Sequence, residues 1–435
     1  MEQPETVTTE TFRSYIFFWI SQLQSLLGSG IIQFVIIIWI TYEYESYFYL
    51  GLAAFLGYVP IVIFSPIAGV FVDRWDRKWI IGSVDFVQAI AAFALISLFW
   101  LKAADIWAVL ALLTIRGCAQ AIQMPAVSAI VPLMVPRDRL SQINALNELS
   151  NAIMLLLSPV IGAVLLSFWE IQDILWVDVS TFLFAVIVLL AIHIPTLTKR
   201  ESSLETKQSF RSEFAEGTTF IRKKKGLLSL LATMTIANFF ITPILVLYPL
   251  FVVEGHGGNE THVALILATF YAGTLTGGLL MASWKGFDRH IVGVVGGIFF
   301  MYVGLILVAL APSGAWWLLI MGALIMGVTV PVSNVSSQTI WQKVVLPELL
   351  GRVMSVRTTV AWVSIPLSMV LAGVFAELIG VAAVLFTCAV LGLAVLAYSW
   401  FMTELPNVES SLASSEVLVS PEHIQQKILM SKSGE

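Results

Sequence analysis

Along the chain, long apolar runs alternate with short polar breaks, and that rhythm governs everything read afterwards. Twelve runs can be separated, at about 13–40, 47–72, 79–101, 105–134, 139–168, 173–194, 227–253, 261–284, 291–311, 315–342, 349–378 and 380–402. A helix of about 20 apolar residues crosses a bilayer, and the longer runs leave room for tilt. Lipid-facing backbone must bond within its own segment, so runs this long predict helices. The one long polar interruption, Pro195 to Gly226, divides the runs six and six. The pattern therefore predicts an all-α membrane protein: a six-helix bundle over 1–194, a linker over 195–226, and a second bundle over 227–404. A Ser- and Glu-rich tail over 405–435 is expected to be mobile. Within the linker, Ser209 to Arg222 spaces its apolar residues as an amphipathic helix does, which predicts a helix lying on the membrane surface.

The halves echo one another. Phe55 … Asp73-Arg74 recurs 215 positions on as Phe270 … Asp288-Arg289, and Pro136 … Gly162 recurs at an offset of 211 as Pro347 … Gly373. Nearly equal offsets predict two pseudo-symmetric six-helix repeats, an architecture that places a transport site between them.

Composition agrees with the membrane class: 58% of the 435 residues are hydrophobic and 12% charged, with a mean hydropathy of +0.90. Placement of the positive residues predicts orientation. Arg74, Arg77, Lys78, Arg137, Arg139, Lys285, Arg289, Lys343, Arg352 and the basic residues of the linker fall on alternate turns, and Lys102 stands alone on the others. The expected arrangement is a multi-pass protein of the cell (inner) membrane with both termini cytoplasmic. The acidic start, Met1 to Glu10, lacks the basic region of a signal peptide, so the first span is expected to be retained. Cys118 and Cys388 both fall inside apolar runs, the histidines lack ligand spacing, and no phosphate-binding glycine loop is present. Neither a metal nor a cofactor is expected, and a membrane-embedded enzyme would need a nucleophile–base pair that the sequence does not display.

The sharpest local signal is Gly69-Val70-Phe71-Val72-Asp73-Arg74-Trp75-Asp76-Arg77-Lys78, a charged hairpin after two apolar runs. Asp73 and Arg77 stand four apart, where opposite charges meet on one helical face. The pattern Gly-x-x-x-Asp-Arg-x-x-Arg-Lys resembles the loop between the second and third helices of the major facilitator superfamily. That resemblance implies the major facilitator fold, with Gly69, Asp73, Arg74, Arg77 and Lys78 latching the cytoplasmic ends of the halves together. Ser158-Pro159-Val160-Ile161-Gly162-Ala163 resembles the superfamily's antiporter motif, although Ser158 and Ala163 replace two of its glycines. This favours efflux over uptake. The order of features resembles the macrolide-efflux branch, which implies proton-driven export by alternating access.

Inside the apolar runs, charge is costly and marks candidate function. Arg116 lies roughly 16 Å from the outer end of its helix, in a segment that partly resembles the superfamily's fourth-helix arginine motif. Glu148 lies roughly 12 Å up the fifth helix and could meet Arg116 if their helix faces agree. Glu148 is then the candidate proton acceptor. Asp178 is placed near the outer face, where water could solvate it, and Asp85 within reach of the charged hairpin; both are further proton-coupling candidates. Arg357 is expected to snorkel. Mild polar groups among aromatic and Met residues, Gln33, Gln120, Asn238, Asn334 and Gln338, suit a large, mostly apolar cargo with a few hydrogen-bonding groups. The expected partners are the bilayer, an amphipathic small molecule and protons, with no nucleic acid, and the chain is expected to act as a monomer. Siderophore export, lysophospholipid flipping and a non-transporting membrane sensor remain as alternatives.

Overall fold

The computed structural model describes residues 9–72, 76–136, 139–192, 194 and 210–410. Thirteen α-helices run through them: α1 (Thr9–Tyr44), α2 (Tyr47–Val72), α3 (Arg77–Trp100), α4 (Ile106–Met134), α5 (Leu140–Leu166), α6 (Ile171–Ala191), α7 (Phe210–Lys223), α8 (Lys225–Leu250), α9 (Glu260–Ser283), α10 (His290–Ala309), α11 (Trp316–Val344), α12 (Pro347–Ile379) and α13 (Val381–Met402). No strand occurs among the described residues. All but α7 are long and apolar enough to cross a membrane. The chain is an integral, multi-pass membrane protein.

Polar residues end the apolar runs by capping the helices. Asp76 accepts from the Lys78 amide at the start of α3, and Asp105 from the Trp107 amide at the start of α4, which satisfies N–H groups that the helix itself cannot. Connections are short, so successive spans alternate in direction. One end of the molecule, the α7 face, carries the starts of α1, α3, α5 and α8. The opposite end, the far face, carries the α1–α2 and α3–α4 turns.

Helices α1 to α6 pack among themselves, as do α8 to α13, and the two groups meet along α2/α12 and α5/α9. Without a hydrophobic force between helices in lipid, close approach depends on small residues. A Cβ on Gly117 of α4 would stand 2.5 Å from the Gly57 carbonyl of α2, and one on Gly327 of α11 2.1 Å from the Phe270 carbonyl of α9. The same crossing thus recurs in both halves, at offsets of 213 (57 to 270) and 210 (117 to 327), close to those read from the sequence.

Two expectations change. The helix expected at the membrane surface forms, as α7, but it packs on α12. Glu216 and Arg352 form an ion pair there, and Ile221 is fully buried. An apolar stripe needs covering, and the end of α12 supplies the cover in place of lipid. The tail expected to be mobile from 405 is anchored at its beginning: Leu405 and Val408 are buried, and Glu409 accepts from the His290 and Ile291 amides at 3.1 and 3.3 Å. The unsatisfied N-terminus of α10 attracts that carboxylate.

Candidate functional site

The charged hairpin falls mostly outside the described residues. Asp73, Arg74 and the expected Asp73–Arg77 pairing lie there, while Gly69 belongs to the last turns of α2 and Arg77 opens α3. Lys78 is described: its Nζ donates to the Leu190 and Ile192 carbonyls at 3.2 and 2.6 Å. A cation at the C-terminal end of α6 satisfies free carbonyls and the helix dipole together.

A polar seam runs through the first group. Gln22, Ser29 and Gln33 fall on one stripe of α1, and Arg116, Gln120 and Gln123 on one stripe of α4, at spacings that keep them in line. The stripes touch. Arg116 Nη1 donates to Asp178 Oδ2 of α6 at 2.6 Å and its Nη2 donates to Ser29 Oγ at 3.3 Å. Ser29 in turn donates to Asp178 Oδ1 at 3.3 Å. The Asp178 side chain is 0% exposed and that of Arg116 10%, and the guanidinium carbon lies 5.8 Å from the Phe182 ring centre. Gln33 and Gln120 are exposed.

This corrects two expectations. Arg116 is held by Asp178, and Glu148 is exposed on α5. Asp178 is not solvated near the outer face, because α6 begins seven residues before it, at Ile171. One turn count could have found the pair: from the ends of α4 and α6, Arg116 and Asp178 lie roughly 15 and 11 Å deep.

Asp85 is also fully buried, and its expected reach to the charged hairpin falls on residues outside those described. Gln123 Nε2 donates to its Oδ1 at 2.8 Å, and Gln88 Nε2 donates to Gln123 Oε1 at 2.7 Å. Gln123 Nε2 also reaches Gln22 Oε1 at 3.4 Å. Asp85 Oδ2 and Gln22 Nε2 are buried with no partner. Among the described residues no Lys, Arg or His pairs with Asp85. A carboxyl with a single amide partner and one free oxygen inside a membrane domain is a candidate functional group.

Ser158, Pro159 and Gly162 of the antiporter-like stretch lie where α1 meets α5. Ser158 Oγ donates to the Met154 carbonyl, and Cβ atoms on Gly30 and Gly162 would collide with Ser158 Oγ and the Phe34 ring at 2.3 and 2.7 Å.

In the second group, Asn334 is exposed on α11 and Asn238 half-buried on α8. Gln338 accepts from Arg357 Nη1 of α12. A small apolar crevice beside Leu245, Phe270 and Met326 borders none of these polar residues.

The groups close on each other at the far face. A Cβ on Gly373 of α12 would stand 2.6 Å from the Tyr47 carbonyl of α2, and one on Gly51 2.7 Å from that of Met369. Glu377 of α12 accepts from Ser46 Oγ at 2.5 Å and from the Phe48 amide at 3.2 Å, capping α2 from the other half. Tyr42 donates to Glu260 of α9 at 2.9 Å. Midway, Tyr58 and Trp362 lie with ring centres 6.3 Å apart. Nearer the α7 face, Phe64 of α2 and Val360 of α12 are exposed.

Comparison with known proteins agrees with this architecture. A family model described as transmembrane secretion effector matches residues 6–434. The chain is 32% identical to macrolide efflux protein A of Streptococcus pyogenes over 363 residues, 83% of this chain and 89% of that one. It is 32% identical to macrolide efflux protein A of Enterococcus faecalis over 314 residues, covering 72% and 97%. Among solved structures, a bacterial homologue of the human lysosomal transporter Spinster, inward-facing and unoccupied, superposes with a TM-score of 0.68 at 16% identity, covering 94% of this chain and 99% of that one.

Proposed function

We propose that this chain, which belongs to the transmembrane secretion effector family and is a transporter of the major facilitator superfamily, exports amphipathic small molecules in exchange for protons by alternating access. The observation that carries this reading is the zipped far face, where Gly51, Gly373 and Glu377 join α2 to α12 while Gln33, Gln120 and Asn334 remain exposed. A chain sealed at one end, with polar groups still accessible between its apolar helices, fits one end-state of an alternating-access cycle. The α7 face is the cytoplasmic one in this reading: Lys78, Arg139, Arg222 to Lys225, Lys285, Arg289, Lys343 and Arg352 lie at it, and Lys102 lies at the far face. The state described is then open to the cytoplasm, as the Spinster homologue is. Macrolides are the first cargo to test, because the relatives bear that name.

The proton is assigned to Asp85. Asp178 has its counter-ion in place, whereas among the described residues the Asp85 carboxyl meets only the Gln123 amide, and a buried charge without a partner costs several kcal/mol that a bound proton removes. Movement of α1 or α4 between states would change that surrounding and release the proton. The experiment is reconstitution in liposomes with a macrolide panel and an imposed pH gradient. Wild type should accumulate cargo when the gradient is present, and Asp85→Asn should exchange cargo across equal concentrations yet fail to accumulate it. Accumulation by Asp85→Asn at the wild-type level would remove Asp85 from the coupling step, and no gradient-driven movement by wild type would remove proton exchange altogether.

A further inference from the structure

The two arginines inside the membrane are treated differently by the fold. Arg116 has a carboxylate and a hydroxyl assembled around it. Arg357 stands about 15 Å along α12 from Pro347 at about 1.5 Å per residue, and no carboxylate faces it among the described residues. Its hydrogen bonds there are from Nη1, to Gln338 Oε1 and, at 3.9 Å, to Met354 Sδ. The guanidinium carbon lies 6.0 Å from the ring centre of the fully buried Trp341.

Position adds to this. On α12, Arg357 lines up with Ser364 and Ser368, which donate to α8 carbonyls, so it is on the α8 side and away from the α2 seam. From there it bridges to α11, a helix that α12 scarcely touches elsewhere. Asn334, Ser337, Gln338 and Trp341 share one face of α11 at helical spacing, and Ser337 Oγ is buried with no partner. Arg357 is half-buried with part of its guanidinium unused, while a neighbouring hydroxyl lacks a partner. An arginine in this setting needs an anion, and the described residues do not provide one.

We propose that Arg357, with Gln338 and Ser337, forms a subsite for an acidic oxygen group, a carboxylate or a phosphate, on an otherwise apolar ligand. The guanidinium fork takes two such oxygens side by side, and Trp341 holds its plane. This rests on the export reading and adds to its cargo class amphiphiles that carry an acid at one edge.

The test uses the purified full chain in phosphatidylcholine nanodiscs, with dansyl-leucine and its uncharged methyl ester as matched probes. Wild type should bind the acid at least about tenfold more tightly than the ester, as expected of a charge-assisted pair. Arg357→Gln should bind both alike. Because Arg357→Gln can also perturb folding, Gln338→Glu serves as the second variant: it gives Arg357 an internal carboxylate, so it should fold as well as wild type and lose the preference. Equal binding of acid and ester by wild type would overturn the subsite, as would a preference that survives both substitutions. Adding phosphatidylglycerol to the discs separates the sources. A preference retained identifies cargo, and a preference lost identifies a lipid headgroup in the same subsite. Liposomes that export the ester as readily as the acid would remove the subsite and leave export standing. Export of neither probe nor any macrolide would remove the export reading itself.

Discussion

Arg116→Ala should leave little folded protein in the membrane. The substitution strips Asp178, 0% exposed, of its counter-ion and its strongest hydrogen bond, and Ser29 cannot neutralise a charge. Breaking one side of a buried pair costs about 3–5 kcal/mol, a large share of the roughly 5–15 kcal/mol that holds a typical domain together. Removing the charge from both partners is a different matter, because two neutral groups of similar shape leave nothing uncompensated. Arg116→Gln with Asp178→Asn should therefore recover abundance and thermal stability to within about 1–2 kcal/mol of wild type. The check is size-exclusion profile and melting temperature of the solubilised protein for the two single variants and the double. A single Arg116→Ala variant as abundant and as heat-resistant as wild type would show that the pair does not hold the fold.

Gly373→Ala should shift the protein out of the described state without unfolding it. A Cβ there would lie 2.6 Å from the Tyr47 carbonyl and 3.1 Å from Phe48 Cα, both backbone atoms that no rotamer change can move. The strain falls only on the state in which α2 and α12 touch. Overpacking of this kind costs about 1–3 kcal/mol, which changes the ratio of two states by about 5- to 150-fold. A cysteine introduced at Ser46 should react faster with a membrane-impermeant thiol reagent from the far face in Gly373→Ala than in the Gly373 background, and transport should fall. Unchanged labelling would mean that the α2–α12 contact does not separate.

The sequence made the topology legible because the length of an apolar run is a direct measure of a membrane crossing, and the repeat offsets carried the symmetry. Pairing was less legible. Depth can be counted along a helix, but the direction a side chain faces depends on how its helix is rotated in the bundle. Arg116 was accordingly matched to Glu148 at similar depth, while its partner is Asp178 on α6. Asp178 was placed too near the outer face because α6 starts with the polar stretch Ile171-Gln172-Asp173, which reads as loop when only hydropathy is followed. For Asp85, nothing in a linear pattern says that Gln123 of α4 will donate to its carboxyl, with Gln22 and Gln88 bonded in turn to Gln123. The apolar stripe of α7 announced a helix with one covered face, yet such a stripe is satisfied equally by lipid and by the end of α12. In the tail, the two residues that matter, Leu405 and Val408, are too few to stand out among polar neighbours.

The central claim is that the halves part at the far face and close again in every transport cycle. The most direct measurement is transport across a reversible cross-link. With Cys118 and Cys388 replaced by Ser, cysteines are placed at Ser46 and Glu377, which touch at 2.5 Å in the described state, and the protein is reconstituted in liposomes. Because the 2.5 Å contact is made by the far end of the Glu377 side chain, the two thiols are bridged with a reducible bis-methanethiosulfonate linker rather than by direct oxidation. Cross-linking should stop cargo movement, and reduction should restore it to the rate of the unlinked sample. Cargo movement at an undiminished rate with the cross-link fully formed would contradict the account.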